Sequence, residues 1–326
     1  MKSKNRKVVL IGTGFVGMSM AYSILNQGAG VNELVLIDIE KEKAEGEAMD
    51  LSHGIPYSKN DLKVKAGNYD ECKDADIVVI TAGLNQKPGQ TRLELSEENA
   101  KIIKDITLKI VSSGFKGIFL VATNPVDIMA KIVQEVSGFD TSKVIGSGTV
   151  LDTARLRFLV GKYLGISDKN VHAYIMGEHG DSSFVPWEHA YIGCKKITDV
   201  LTDNNKNMED LENIYIQVRD SAYEIIEKKK ATYYGIGLGL MHIIQNILND
   251  TNQILTVSAY LNGEYGQKDI YIGVPCIINS NGVREILELN LSAENQAKLN
   301  HSAQMLCHWG RRLLTQHHGF TILILN

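Results

Sequence analysis

Cysteine is scarce in this sequence, and the few cysteines lie far apart along the chain. The 326 residues contain four cysteines, which are Cys72, Cys194, Cys276 and Cys307. A disulfide-stapled fold or a cysteine zinc site needs denser or paired spacing, and no C-x-x-C pair is present. An H-E-x-x-H segment is also missing, and Glu178, His179 and Asp181 are too close in sequence to converge on one metal ion. We therefore expect free thiols in a cytoplasmic protein and no metal.

Long basic runs and membrane-length apolar runs are absent as well. The formal net charge is −4 and the pI is near 6.2, and the one basic cluster is Lys228–Lys230. Residues 8–32 are uncharged and follow a basic N-terminus, which superficially resembles a signal peptide or membrane anchor, but glycines and polar residues interrupt them. The composition thus predicts no nucleic-acid partner and no membrane partner.

Apolar runs alternate with helical segments through the first half of the chain. These runs begin at Lys7, Val31, Ala75, Gly117 and Lys143. Near-continuous apolar strands separated by helices predict an α/β fold with a doubly wound parallel sheet covered on both faces. Ligands collect at the carboxyl ends of such strands, where Gly83 and Asn124 are expected to lie.

A glycine motif follows the first apolar run directly. Gly12, Gly14 and Gly17 form G-x-G-x-x-G, which in a strand-to-helix turn binds a pyrophosphate at the helix N-terminus. A packing turn would use the same residues, but Asp38 ends the next run 21 residues after Gly17. An acidic side chain there bonds an adenosine ribose and repels a 2′-phosphate, so the pattern predicts NAD rather than NADP.

The composition changes after about residue 150. An amphipathic helix begins near Leu151, a strand from Asn170 runs into a loop, and residues 209–248 are mainly helical. Two β-rich runs, 253–261 and 269–279, predict an antiparallel hairpin, and a last helix begins near Ser292. We predict a dinucleotide-binding domain over residues 1–150 and a mixed α+β substrate domain over 151–326.

Three residues of the second half could carry acid–base chemistry. Asp152 and Arg155 share one face of the helix at i, i+3, and His179 lies between two glycines. A carboxylate can orient a histidine and raise its pKa, while an arginine can bind a substrate carboxylate in a bidentate pair. The alternative is a local ion pair and a structural histidine.

The polar segment 84–95, which contains Pro88, Gly89 and Arg92, is a lid or a plain surface loop. Arg157 lies two positions past Arg155, so the two arginines point to different sides of the helix. His172 lies seven positions before His179, which in an extended strand places the two histidines on opposite faces.

Six motifs occur in order: G-T-G-F-V-G, N-Q-K-P-G-Q-T-R, V-A-T-N-P-V-D, G-T-V-L-D-T-A-R-L-R, I-M-G-E-H-G-D and A-T-Y-Y-G. Between about residues 5 and 305 the chain resembles the bacterial NAD-dependent L-lactate dehydrogenases of the lactate/malate dehydrogenase family. The resemblance implies a Rossmann-type NAD-binding domain, pyruvate or L-lactate as substrate, and a homotetramer.

The resemblance also implies roles for individual residues. His179 would exchange the proton, Asp152 would orient it, and Arg92 would arrive with the lid and polarise the substrate carbonyl. The implied substrate contacts are Gln86, Arg92, Asn124, Asp152, Arg155 and Thr232. The implied NAD contacts are Gly12, Gly14, Val16, Gly17, Asp38, Lys43, Tyr69, Gly83 and Asn124. Arg157 and His172 would bind the effector fructose bisphosphate across a two-fold axis.

Gln86 bears on the choice between related activities. Malate dehydrogenases resemble this chain but carry an arginine there, which would pair with the second carboxylate of oxaloacetate, whereas a neutral glutamine suits the methyl end of pyruvate. Gln90 and Lys230 depart from the family pattern, which has glutamate and glycine there, and the tail past Ala303 is atypical. Another 2-hydroxy acid dehydrogenase and a non-catalytic NAD-binding protein of the same fold are the alternatives.

Overall fold

The computed structural model of the protein describes residues 6–84 and 92–315. It does not describe the side chains of Arg92, Leu93, Trp309 and residues 311–315. The centre of the predicted lid and the end of the atypical tail lie outside the described residues.

Twelve strands are present in the described part of the chain. They are β1 (Lys7–Ile11), β2 (Glu33–Ile37), β3 (Lys63–Ala66), β4 (Ile77–Ile80), β5 (Ile118–Val121), β6 (Val144–Gly146), β7 (Val171–His172), β8 (Tyr191–Ile192), β9 (Lys195–Lys196), β10 (Gln253–Asn262), β11 (Lys268–Asn279) and β12 (Gly282–Ile286).

Nine α-helices connect or follow these strands within the same described ranges. They are α1 (Phe15–Gln27), α2 (Lys41–Gly54), α3 (Arg92–Ser112), α4 (Val126–Ser137), α5 (Val150–Leu164), α6 (Ile197–Asp203), α7 (Met208–Lys229), α8 (Tyr234–Leu248) and α9 (Ala293–Thr315).

The large sheet has the strand order β12-β11-β10-β6-β5-β4-β1-β2-β3. The six strands from β3 to β6 are parallel, and five of them, β1, β2, β4, β5 and β6, are buried along their whole length. Because the strand order reverses between β1 and β4, a crevice opens at the carboxyl ends of these two strands. The predicted doubly wound parallel sheet is confirmed.

The predicted hairpin is also confirmed, since β10 pairs antiparallel with β11 over nearly its full length. Its attachment was not predicted: β10 joins the edge of the parallel sheet at β6 through the pair Ser258 and Gly146. The strands of the second half therefore extend the sheet of the first half. The domain boundary near residue 150 stays a prediction.

Two groups of buried apolar side chains form the interior. The larger one surrounds the nine-stranded sheet and includes α8 and part of α9. The smaller one lies among α5, α7 and the three-stranded sheet β7-β8-β9, with Leu156, Trp187 and Leu211 among its members. The helix α5 thus contacts the smaller core, while its first residue, Val150, packs on the larger one.

The predicted strand from Asn170 that runs into a loop is present, and it is short. The strand β7 ends at His172, and Met176 and Gly177 make only isolated bridges, to Phe184 and Gly273. Gly177 has a φ of 101°, which interrupts an extended chain. The alternation of faces along a strand therefore does not relate His172 to His179.

Candidate active site

The three glycines of the first loop differ in the space around them. A Cβ on Gly12 would lie 2.7 Å from the backbone nitrogen of Ala82, and a Cβ on Gly17 would lie 2.2 Å from the carbonyl oxygen of Gly12. A Cβ on Gly14 would meet nothing within 4 Å. The outer glycines permit close backbone packing, whereas Gly14 leaves open space at the N-terminus of α1, where a pyrophosphate fits.

Asp38 follows β2 and is fixed by the same loop. One carboxylate oxygen accepts hydrogen bonds from the backbone N–H and the hydroxyl of Thr13 at 2.7 and 2.8 Å, and the other accepts from the N–H of Glu40 at 3.1 Å. Burial opposes the charge, but these bonds and the nearby Lys43 outweigh it and hold the pKa of Asp38 below its usual range. A fixed negative charge at this place suits a ribose diol and disfavours a phosphate.

The other residues predicted to contact the cofactor lie around the same crevice. Val16 packs on the large core from the first turn of α1, and Tyr69 lies half-buried after β3, where burial raises its pKa to about 12. Gly83 follows β4, and a Cβ there would meet the side chain of Thr123 at 2.9 Å. Asn124 follows β5 and is exposed, and its carbonyl accepts from Asn99 at 3.3 Å. These positions agree with the predicted sheet edge.

The structure brings together the three residues predicted to carry acid–base chemistry, Asp152, Arg155 and His179. The Nδ1 atom of His179 lies 2.7 Å from one carboxylate oxygen of Asp152, and the guanidinium of Arg155 donates to the other oxygen at 3.1 Å. Asp152 and Arg155 are each 14% exposed and His179 is 27% exposed at the side chain. Because Asp152 occupies Nδ1, the imidazole can exchange a proton with a ligand through Nε2.

The charges around His179 favour its protonated form. Removal of the ring from water lowers its pKa, but the negative charges of Asp152 and Asp127 outweigh this and raise the pKa to about 9, while Arg155 opposes them. Burial would raise the pKa of Asp152, but His179 and Arg155 lower it below its usual range. At neutral pH His179 is therefore an imidazolium held by the carboxylate of Asp152. This imidazolium can donate a proton.

Asp127 was not predicted as a site residue, although it lies inside one of the quoted motifs. It is in the first turn of α4, is 3% exposed, and accepts from the backbone N–H of His179 at 2.9 Å and from the hydroxyl of Ser258 at 2.6 Å. The sequence offered one hint, an acidic residue two positions after the N-P that follows β5. An acidic residue in a first helical turn is common, so the hint is weak.

The loop that carries His179 is supported from β11 and α9. Gly177 and Gly273 exchange two backbone hydrogen bonds of 2.9 and 3.0 Å. The buried hydroxyl of Ser302 accepts from the N–H of Glu178 at 2.7 Å and lies 3.0 Å from that of Ser182.

Thr232 lies in the short connection between α7 and α8. The next residue, Tyr233, stacks on Phe15 with ring centroids 5.1 Å apart, so this connection touches the start of α1 beside the glycine loop. Lys230, the residue directly after α7, has a φ of 73°, a conformation that glycine adopts without strain. Its ammonium donates to the carbonyl of Glu227 at 3.4 Å, which keeps it at the end of its own helix.

The two residues predicted to bind an effector are near each other. The Nε of Arg157 donates to the carbonyl of Ala173, the residue after His172, at 3.1 Å, and its guanidinium lies 4.9 Å from the ring centroid of Tyr174. His172 is exposed. Gln86 and Gln90 lie outside the described residues, as does the side chain of Arg92, whose backbone begins α3.

A dinucleotide loop and a histidine paired with a carboxylate belong to the same sheet edge, since Asp127 links the His179 loop to the chain that leaves β5. This combination defines an NAD-dependent oxidoreductase as the class. The chain belongs to the lactate/malate dehydrogenase family: residues 6–146 match its NAD-binding domain, and residues 149–309 match its α/β C-terminal domain. NAD is accordingly the cofactor, and the resemblance found in the motifs is confirmed.

Individual relatives are similar over nearly the whole chain. An L-lactate dehydrogenase 1 of Bacillus cereus is 56% identical over 307 residues, which are 94% of this chain and 98% of that relative. The crystal structure of a lactate dehydrogenase from a deep-sea metagenome of the Medee basin is 53% identical with a TM-score of 0.93, covering 96% of this chain and 99% of that one. A minor L-lactate dehydrogenase of Enterococcus mundtii, crystallised with ligands, is 48% identical with the same TM-score and covers 95% and 99%.

Neither a metal-binding cluster nor a membrane-spanning helix occurs among the described residues. Residues 6–84 and 92–315 contain no group of three or more His, Cys, Asp or Glu side chains arranged to hold a metal ion. Over the same ranges, no helix combines the length and the apolar character that crossing a membrane requires.

Proposed function

We propose that this protein is an L-lactate dehydrogenase that reversibly reduces pyruvate to L-lactate. The observation that carries the proposal is the shared carboxylate of Asp152, which binds His179 at 2.7 Å and Arg155 at 3.1 Å. A 2-keto acid needs a proton donor at its carbonyl and a cation at its carboxylate, and this cluster offers one of each on one side of the sheet edge. The names of the similar relatives support the same substrate.

In the proposed reaction His179 donates its proton to the keto oxygen. NADH, when bound, supplies the hydride for the keto carbon. Asp152 keeps the imidazole in the orientation that presents Nε2 and stabilises its positive charge before transfer. In the reverse direction the same imidazole takes the hydroxyl proton of L-lactate.

The remaining roles follow from the resemblance. Arg155 binds the substrate carboxylate in a bidentate pair, and Arg92 closes with the lid and stabilises negative charge that grows on the keto oxygen. Gln86 faces the methyl end of pyruvate. Asn124 and Thr232 complete the pocket, which is supported by the position of Asn124 directly after β5 and of Thr232 beside the glycine loop.

Regulation and assembly are part of the same proposal. Fructose bisphosphate would bind to Arg157 and His172 of two subunits across a two-fold axis, neutralise their repulsion and favour a homotetramer with a lower KM for pyruvate. What supports this is the anchoring of Arg157 next to the exposed His172. We propose a cytoplasmic location for this enzyme.

The decisive assay follows the decay of NADH absorbance with pyruvate and, in parallel, with oxaloacetate. We expect pyruvate to have the higher kcat/KM, and we expect His179→Ala to reduce turnover by a factor on the order of 10² or more with little change in NADH binding, because acid–base groups typically contribute that much. A preference for oxaloacetate would make the protein a malate dehydrogenase. Near-normal turnover of His179→Ala would contradict the role of the histidine.

A further inference from the structure

Asp127 is a buried acid that the proposed reaction does not use. Its side chain lies under the loop that carries His179, and the residue is 3% exposed. A carboxylate removed from water is costly unless it is hydrogen-bonded, and an apolar side chain could fill the same space. A buried ionisable group that contacts the catalytic loop therefore calls for a functional explanation.

The two hydrogen bonds of Asp127 join three parts of the fold. One oxygen accepts from the backbone N–H of His179 at 2.9 Å, and the other accepts from the hydroxyl of Ser258 on β10 at 2.6 Å. The main chain of His179 is thus held from α4, while its ring is held from α5 by Asp152 at 2.7 Å. Two carboxylates from two helices define the position of one histidine.

We propose that Asp127 is a positioning residue for His179, whose buried carboxylate holds the histidine main chain and places a second negative charge next to the catalytic loop. This inference rests on the proposed function. It concerns the protonation of His179 rather than any contact with substrate.

The electrostatics agree with the geometry. The charged groups that act on the imidazole are Asp152 and Arg155 from α5 and Asp127 from α4, and the two carboxylates together raise the pKa of His179 to about 9. Burial raises the pKa of Asp127 itself to about 6, against the bonds from Ser258 and His179, and the charge of Glu178 adds to the rise. The carboxylate of Asp127 is therefore ionised through the range in which His179 loses its proton.

The variant Asp127→Asn separates charge from geometry. The asparagine carbonyl can still accept from the N–H of His179, and its amide can donate to Ser258. We expect the pKa of His179 to fall by about one unit, the lower end of what a nearby opposite charge produces. The readout is NMR titration of ¹³C-labelled histidine, with the His179 resonance assigned by its loss in His179→Asn.

The matched control is Ser258→Ala, which breaks the other bond of Asp127 but keeps its charge. We expect this variant to leave the pKa of His179 within about 0.3 unit of wild type, since loss of one neutral donor leaves Asp127 ionised above pH 8. In pyruvate reduction the alkaline limb of kcat/KM should move down by about one unit in Asp127→Asn, with its acidic plateau within about threefold of wild type.

Several results would overturn the proposal. One is an unchanged His179 titration in Asp127→Asn, and another is an equal loss of kcat/KM at every pH, because a merely structural role predicts both. If Asp127→Asn does not fold, the wild-type His179 resonance must still show a second, smaller inflection near pH 6, where Asp127 titrates, and its absence contradicts the proposal. The NMR titration needs no turnover, so failure to reduce pyruvate would remove the proposed function and leave this test standing.

Discussion

Asp38 uses its carboxylate both as a structural acceptor and as a source of charge. Its bonds with Thr13 and Glu40 fix the start of the dinucleotide loop, and they also keep its pKa below the usual range. The negative charge is therefore constant across the pH range in which the enzyme would be assayed. Cofactor choice at this residue should not depend on pH between 5 and 8.

We predict that Asp38→Asn raises the ratio of kcat/KM for NADPH to that for NADH by about tenfold, since removal of a like charge beside a 2′-phosphate relieves a repulsion of the order of 1.4 kcal/mol. Asparagine keeps an acceptor for the N–H of Thr13, so the loop should stay in place. The control is Asp50→Asn, which removes an exposed charge from α2. Equal ratios in wild type and Asp38→Asn would show that Asp38 does not set the preference.

Single residues differed in how far the sequence could predict them. Asp152, Arg155 and His179 carry chemistry of a recognisable type within long motifs, and the structure brings them together. Asp127 was missed because its role depends on which loop passes over α4, and this contact joins residues 52 positions apart. A helix-terminal acid alone does not predict a partner at that separation.

Whole elements couple the cofactor side of the site to the substrate side. The first residue of α1, Phe15, stacks on Tyr233 in the connection that carries Thr232, with an interplanar angle of 25°. The ammonium of Lys229 lies 3.4 Å from the centroid of the Tyr233 ring and covers it. A shift of α1 therefore moves the wall of the substrate pocket that Thr232 is proposed to form.

We predict that Phe15→Ala raises the KM for NADH and the KM for pyruvate together, each by roughly two- to tenfold, because an aromatic pair contributes about 0.5–1.5 kcal/mol beyond its burial. The matched control is Tyr22→Ala on the same helix, since Tyr22 is 60% exposed and Phe15 is 68% exposed. Steady-state kinetics with each substrate varied in turn give both constants. A change in the KM for NADH alone would argue against the coupling.

The elements were predictable in proportion to their length and apolar character. The five apolar runs became parallel strands of the large sheet, and the helices predicted near Leu151, over 209–248 and near Ser292 lie close to those positions, whereas α6 was not predicted. The edge strand β3 was missed because its sequence K-V-K-A is half charged, which is how an exposed edge avoids pairing with another sheet. The strands β7, β8 and β9 have two residues each, too few for any periodicity to show.

At the scale of the whole molecule, the two halves meet where the proposed chemistry occurs. Ser258 pairs with Gly146 at the junction of the hairpin with the parallel sheet, and the same serine bonds Asp127. The buried hydroxyls of Thr153 and Thr256, 2.9 Å apart, connect α5 to β10 close by. The second half therefore continues the first at the level of the sheet, which the change of composition near residue 150 could not indicate.

The effector proposal also belongs to the whole molecule, because it requires two subunits. Arg157 is held on the carbonyl of Ala173 and against the ring of Tyr174, which fixes its charge beside His172. Two such pairs facing each other would repel, and a bisphosphate carries enough charge to neutralise both.

We predict that fructose bisphosphate lowers the KM for pyruvate by about tenfold at pH 6, within the usual range of allosteric coupling, and that Arg157→Gln removes most of this effect. The matched control is Lys162→Gln, which removes an exposed charge from the same helix and should keep the response. Sedimentation with and without the effector tests whether it also favours the tetramer. A wild-type KM for pyruvate that does not change with fructose bisphosphate at pH 6 would refute the effector site. An equal loss of response in Arg157→Gln and Lys162→Gln would show that the effector is attracted nonspecifically by the charge of α5.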